Sequence, residues 1–177
     1  MFEIERMKQA ISSRNGLART NLFKINLPLS VGGVSLSGDP FAESNKSFLD
    51  LMCTATQLPG RQILTSDRMI GVKKELMANG FDNPDVNLSF YDNNDYSIRR
   101  YFTAWQNRVI DQNTRELRFK NEYSAAVYIQ QLDHSGMVVY AVNLEEAFPT
   151  TVNVVDLNND PNGLVQINVQ LSYTNWR

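Results

Sequence analysis

The strongest constraint on the fold is a strict alternation of apolar and polar residues near the C-terminus. From Val165 to Tyr173 every second residue is apolar. The residues between them are neutral and polar, namely Gln166, Asn168, Gln170 and Ser172. Because successive side chains of a strand point to opposite faces, this pattern predicts a β-strand with one buried face. Shorter stretches at 22–29 and 86–90 alternate in the same way, so a mainly β chain is expected.

Turn-forming residues between β-rich runs predict two hairpins. Residues 123–132 and 137–148 flank the group Asp133-His134-Ser135-Gly136. Residues 150–157 and 164–174 flank a longer polar loop at 158–163.

One helix is expected at about 95–110. Its apolar residues recur at spacings of three, four and seven and therefore share one face, namely Ile98, Tyr101, Phe102, Trp105 and Val109. Three residues just before it are expected to cap its first turn, namely Asn93, Asn94 and Asp95. A shorter helix or arm is possible at 3–14.

The fold class that follows is a β-sandwich or β-barrel with one flanking α-helix and long loops. We expect an N-terminal arm at 1–20 and one domain at 21–177. Two segments, 30–47 and 61–80, show no core-facing period and are expected to be irregular. Long irregular segments in small domains are uncommon unless they bind something, although plain surface decoration is the alternative.

The segment 61–80 mixes charged residues with exposed-type apolar ones, as expected of a contact that a neighbouring subunit orders. It supplies the candidates for such a contact between subunits, namely Arg61, Arg68, Met69, Ile70, Lys73 and Lys74.

Catalytic and metal-binding residues are not indicated. The single histidine, His134, falls in a predicted turn, and the single cysteine, Cys53, falls in an apolar run typical of a small core residue. The four Cys/His ligands of a structural zinc site are not available. The loop at 158–163 has calcium-type spacing, but Val169 stands where the bidentate Glu is required. We therefore expect no enzyme and no cofactor.

The charge is nearly balanced, with a formal net charge of −2, so the chain has no long-range field that gathers nucleic acid. The sequence contains no run of about 18 apolar residues, so no membrane-spanning helix is predicted. The neutral polar side chains on the predicted strands, Gln130 among them, fit three interpretations. They could form an ordinary solvent-exposed face, the wet lining of a channel, or a surface buried against another copy.

Four stretches in order resemble the tail tube proteins of contractile-tailed (myovirus-type) bacteriophages. They are residues 21–28, residues 53–61 with Leu58-Pro59-Gly60-Arg61, the unit of 86–91 and 99–105, and the C-terminal part at 147–150 and 169–176. The resemblance covers about residues 19–177. It implies a structural virion protein whose copies form hexameric rings that self-assemble into a stacked tube. The six candidates in the segment 61–80 are then the ring-stacking interface candidates.

The resemblance also implies the partners. They are other copies of the chain, the tail sheath protein, the tape-measure protein, and the baseplate and tail terminator proteins. DNA passes through the lumen during ejection without specific binding. The family carries no catalytic residues, its place is the virion tail, and assembly occurs in the host cytoplasm.

Two alternatives stay open from the sequence. One is a related tube-forming protein of a secretion system or a phage baseplate. The other, from a different class, is a β-sandwich carbohydrate-binding module, which normally displays aromatic residues on a sheet face.

Overall fold

The alternating segments form strands where the sequence predicts them. The computed structural model describes residues 2–13, 16–36, 48–155 and 163–177. Its strands are β1 Phe23–Asn26, β2 Ser30–Val31, β3 Val34–Ser35, β4 Cys53–Thr56, β5 Gln62–Ile70, β6 Lys73–Asp82, β7 Val86–Tyr91, β8 Ala125–Leu132, β9 Val138–Val152, β10 Gln166–Ser172 and β11 Asn175–Trp176.

The helices are α1 Phe2–Ser12, α2 (residues 48–52), α3 Ser97–Val109 and α4 Lys120–Tyr123. The predicted helix at about 95–110 is confirmed by α3, and the possible helix at 3–14 by α1. None of the described helices has the length and apolar character that a membrane span requires.

The main sheet is antiparallel and has the order β1-β8-β9-β10-β7-β4, with β11 also paired to β9. Strand β9 is 15 residues long and pairs with β8 along most of its length and with β10 at its end. It therefore joins two arms of the sheet, one formed with β1 and β8 and the other with β10, β7 and β4. It carries a positive φ of 52° at Glu146, where the pairing with β8 is irregular between Leu144 and Ala147. The mainly β expectation is confirmed, and among the described residues the sheet stays open and does not close into a barrel.

Helix α3 fills the core that the two arms share. Its buried residues are Ile98, Tyr101, Phe102 and Trp105, as its periodicity predicts. The rings of Phe102 and Phe90 of β7 lie 5.3 Å apart. The Tyr101 hydroxyl donates a 2.6 Å hydrogen bond to the carbonyl oxygen of Pro28, which satisfies its buried polar atom.

The predicted cap of α3 is confirmed in part. The Asn93 Oδ1 accepts hydrogen bonds from the backbone N–H and the hydroxyl of Ser97. The second cap comes from Asp92, whose Oδ1 accepts from the Ile98 N–H at 3.2 Å. Tyr96, the residue at the N-cap position, has a left-handed backbone conformation and makes no side-chain cap hydrogen bond.

The expected hairpins are confirmed, with one boundary corrected. Strands β8 and β9 form the first, and β9 and β10 form the second. The predicted break between 148 and 150 is absent because β9 continues to Val152. The calcium-like spacing falls mostly at 156–162, outside the described residues.

The prediction of an irregular segment at 61–80 is wrong. Strands β5 and β6 form a regular antiparallel hairpin there. In the segment 30–47, residues 30–35 contain the short β2–β3 hairpin, and 37–47 lie outside the described residues. The predicted division into an arm at 1–20 and a domain at 21–177 stays a prediction.

Candidate assembly surface

The β5–β6 hairpin is a long ribbon whose two strands bury no residue. Every residue of both strands is exposed. The pairing runs from Gln62 opposite Asp82 to Ile70 opposite Lys73 and leaves a two-residue turn, Gly71-Val72. Gly71 has a φ of 62°, which the turns favoured by tight hairpins require.

Both faces of this hairpin carry large apolar side chains. By pairing and alternation, one face holds Ile63, Met69, Leu76 and Phe81. The other face holds Leu64, Ile70 and Met77. All seven are at least 43% exposed. An isolated two-stranded hairpin is marginally stable in water, and contiguous apolar exposure marks an interaction surface.

Two of the predicted interface residues, Met69 and Ile70, lie at the tip of the hairpin. Met69 is 65% exposed and Ile70 is 53% exposed. Lys73 pairs with Ile70 across the turn, so an apolar and a basic residue share one end of the ribbon.

The other two hairpin candidates contact side chains of their own ribbon. The Nζ of Lys74 lies 2.7 Å from the Oδ2 of Asp67, in an exposed ion pair. The Nη1 of Arg68 lies 3.6 Å from the Sδ of Met77. An exposed ion pair stabilises little, and a thioether sulfur is a weak acceptor, so both cations stay available to a partner.

Arg61 lies apart from the other five, at the base of the hairpin. Its Nη2 donates a 3.1 Å hydrogen bond to the Oδ1 of Asn175. Its Cζ lies 4.9 Å from the ring centroid of Phe81 and 5.3 Å from that of Trp176. The structure therefore brings five candidates together in the ribbon and places Arg61 against the C-terminal strand.

Sequence reasoning missed Leu76 and Phe81 as hairpin residues and Trp176 as a partner of Arg61. The one local signal for the hairpin was the Gly71-Val72 turn between two β-compatible runs. No local signal links Arg61 to a residue that is more than a hundred positions away.

A second surface is the outward face of the β4-β7-β10 arm, which is uncharged. Strands β4, β7 and β10 contain no Asp, Glu, Lys or Arg, and neither does the end of β9 at 148–152. Their outward amides and hydroxyls bond to one another, as between the Ser89 hydroxyl and the Asn168 Oδ1 at 2.7 Å. The Asn87 Nδ2 likewise donates to the Gln57 Oε1 at 3.1 Å. This face can hold water without attracting phosphate.

The side chains considered for chemistry lie apart. Cys53 is buried, and burial raises the pKa of its thiol to about 12. His134 lies in an exposed turn, where Ser135 donates its hydroxyl to the Oδ1 of Asp133 at 2.7 Å. The described part of the chain contains no cluster of three or more His, Cys, Asp or Glu side chains that could hold a metal ion.

The comparison with protein families gives one match over most of the chain. The family described as "Phage tail tube protein" matches residues 18–177. No curated protein matches the chain significantly.

Solved structures with a similar fold are components of contractile injection systems. A chain in the baseplate of the anti-feeding prophage is 16% identical, with 91% of this chain and 94% of that chain covered and a TM-score of 0.61. A chain of the extracellular contractile injection system PVC, from its sheath-tube complex in the extended state, is 13% identical, with 91% and 90% covered and a TM-score of 0.60. A chain of the PVC sheath/tube terminator is 13% identical, with 91% and 95% covered and a TM-score of 0.62. At these identities the likeness concerns the fold.

Proposed function

Because this chain belongs to the phage tail tube protein family, we propose that it is the repeating subunit of a contractile tail's tube. Six copies close into a ring, and rings stack around a central channel. The chain acts as a structural protein and without catalysis.

The observation that carries this proposal is the fully exposed β5–β6 hairpin. A ribbon with apolar residues on both faces, whose outer edges pair with no other strand among the described residues, invites aggregation unless something covers it. The cover that suits a self-assembling family is another copy of the same chain, which repeats the same contact at every subunit. The hairpin candidates Arg68, Met69, Ile70, Lys73 and Lys74 are then the residues of the contact between stacked rings.

The open sheet supports ring closure because its two edges, unpaired in the described part of the chain, can pair with neighbouring subunits. Its terminal strands, β1 and β4, each have one edge without a neighbour in the described sheet. Joining such edges between subunits removes exposed strand edges, as barrels do.

The uncharged face of β4, β7 and β10 suits the lining of the channel. A channel rich in Lys or Arg would bind phosphates through counterion release and hold the DNA back. Neutral amides and hydroxyls keep the wall wet and offer no such attraction. The tape-measure protein and then the DNA would pass this surface without specific binding.

The remaining partners follow from a place in the virion tail. The tail sheath protein surrounds the tube, and the baseplate and tail terminator proteins bound its two ends. Assembly takes place in the host cytoplasm, where a single reduced cysteine such as Cys53 is stable.

Electron microscopy of the purified chain tests the proposal. We expect monomers or labile rings at low concentration, and sixfold rings and hollow tubes when the protein is concentrated or seeded with baseplates. A protein that stays monomeric at high concentration and after seeding would overturn the proposal.

A further inference from the structure

The exposed hairpin continues from the edge of the main sheet through two short linkers. Residues 57–61 join β4 to β5, and residues 83–85 join β6 to β7. Since β4 pairs with β7 and β5 with β6, the four strands form one long ribbon whose pairing is interrupted at the linkers. Each linker contains a proline, Pro59 or Pro84, which has no N–H to donate to a ladder. The junction therefore has the features of a hinge.

The C-terminal residues bridge this hinge from the side of β6 and β7. The Tyr173 hydroxyl donates a 3.0 Å hydrogen bond to the carbonyl oxygen of Pro84. The Asn83 Nδ2 donates a 3.0 Å hydrogen bond to the carbonyl oxygen of Thr174.

The same segment holds the linker between β4 and β5. The Trp176 Nε1 donates a 3.3 Å hydrogen bond to the carbonyl oxygen of Gly60. Next to it, the guanidinium of Arg61 lies against the rings of Phe81 and Trp176 and bonds to Asn175. Arginine on aromatic rings is attracted by their π-electrons, and its planar shape lets it contact both.

We propose that residues 173–176 form a clamp that fixes the direction of the β5–β6 hairpin, with Arg61 as its positioning residue. The clamp joins both hinge linkers to β11, which is itself paired with β9 of the main sheet. Its consequence for tube growth rests on the proposed function. The clamp itself is a property of the single chain.

The length of the hairpin explains why such a clamp matters. Nine residues of strand extend about 30 Å, so a swing of about 10° at the base moves the tip by about 5 Å. A contact that must recur at every subunit does not tolerate that displacement. Exposed strands with few packing partners move at a low cost in free energy, so contacts at the base contribute strongly to holding their direction.

Distance measurements on unassembled chains test the clamp directly. Nitroxide labels are placed at Val72→Cys on the hairpin tip and Thr103→Cys on α3, in a Cys53→Ala background. Labelled chains are diluted into unlabelled protein so that only distances within one chain contribute. Pulsed electron paramagnetic resonance then compares the intact clamp with Arg61→Ala and Trp176→Ala, using Trp176→Phe to keep an aromatic ring. Arg100→Ala, a change of an exposed arginine on α3, is the matched control.

We expect a narrow distance distribution for the intact clamp and the control. Arg61→Ala should at least roughly double its width while the thermal melting of the core stays nearly unchanged. Trp176→Phe should lie closer to the intact protein than Trp176→Ala, and tube growth should fall in the order of broadening.

An unchanged distribution in Arg61→Ala would overturn the clamp. So would an Arg61→Ala variant that loses tubes without broadening, because Arg61 would then act as a direct contact with a neighbouring subunit. Failure of the unaltered chain to form tubes would count against the proposed function and leave the distance result standing. Should Trp176→Ala unfold, the Arg61→Ala and Trp176→Phe pair still decides the outcome.

Discussion

The indole Nε1 of Trp105 donates a 2.7 Å hydrogen bond to the carbonyl oxygen of Tyr123. The two residues are joined across the core from α3 to the end of α4, just before β8 begins. Trp105 is fully buried, so its one polar atom needs this partner. The bond therefore fixes where the chain re-enters the sheet after the helix.

We expect Trp105→Ala to damage folding itself. Removing a large buried aromatic side chain lowers the free energy of unfolding by about 3–5 kcal/mol. Denaturant titration followed by circular dichroism measures the change. A variant that keeps its stability would show that α3 is not part of the core.

The double change Met69→Ser and Ile70→Ser should have the opposite effect. Both side chains are exposed at the hairpin tip, so the thermal melting temperature should stay nearly the same. Tubes should fail to grow, as seen by electron microscopy, because the apolar contact with the next subunit is lost.

The matched control replaces two exposed apolar residues elsewhere, by Leu117→Ser and Phe119→Ser. Leu117 is 71% exposed and Phe119 is 79% exposed. Tubes should form normally in this control. If the hairpin variant forms tubes as well, ring stacking must rest on the N-terminal arm or on the segment 30–47. If it unfolds, the hairpin belongs to the core.

Substitutions at two adjacent glycines allow the cost of backbone strain to be measured apart from the cost of a steric clash. Gly32 and Gly33 both have positive φ values, 57° and 75°. A Cβ at Gly32 would lie 2.3 Å from the carbonyl oxygen of Glu122, whereas a Cβ at Gly33 meets nothing within 4 Å. Gly33→Ala should destabilise by about 1 kcal/mol through strain alone, and Gly32→Ala by clearly more. Equal melting temperatures would show that the β2–β3 turn moves away from α4 at no cost.

A lysine on the uncharged face should make the channel bind DNA. Gln166 is exposed on β10, so Gln166→Lys should leave the fold and the tubes intact. Each ring would then carry a circle of cations, and tubes should retain short DNA in a manner that weakens as salt rises. Co-sedimentation of labelled DNA with tubes measures this.

The control for that experiment is Gln112→Lys, the same exchange in an exposed loop outside the sheet. Its tubes should retain less DNA than those of Gln166→Lys. Equal retention would argue that β10 does not face the channel.

Cys53 should be chemically silent in the folded protein. Its thiol pKa is raised from 9.0 to about 12, chiefly by burial, so the reactive thiolate forms only in strongly alkaline solution. Because the unfolded thiol ionises at lower pH, this contribution to stability is present below pH 9 and is lost as the pH rises toward 12. Native protein at pH 8 should resist thiol reagents and react only after unfolding. Rapid labelling of native protein would show that the site opens.

Neither the single cysteine nor the single histidine should be needed for assembly. Cys53→Ala should lower the free energy of unfolding by about 1–2 kcal/mol. His134→Asn should be near neutral, because His134 lies in an exposed turn that tolerates Asn. Loss of tubes in the folded His134→Asn variant would reveal a contact at that turn.

The amino-acid pattern alone is enough to predict the elements that bury one face. The alternation from Val165 to Tyr173 and the spacing of Ile98 and Trp105 arise because apolar side chains are stable on the side that is covered from water. Those patterns are local, and they predicted β10 and α3 as well as the mainly β fold.

The hairpin and its clamp, in contrast, are visible only in the folded chain. Strands β5 and β6 bury neither face within the subunit, so no apolar–polar alternation marks them, and the sequence predicts an irregular segment there. Arg61 meets Trp176 only because the chain folds back after more than a hundred residues. Periodicity records which side of an element is covered by its own chain. It records neither a surface kept for other copies nor a contact between distant residues, and the proposed assembly depends on both.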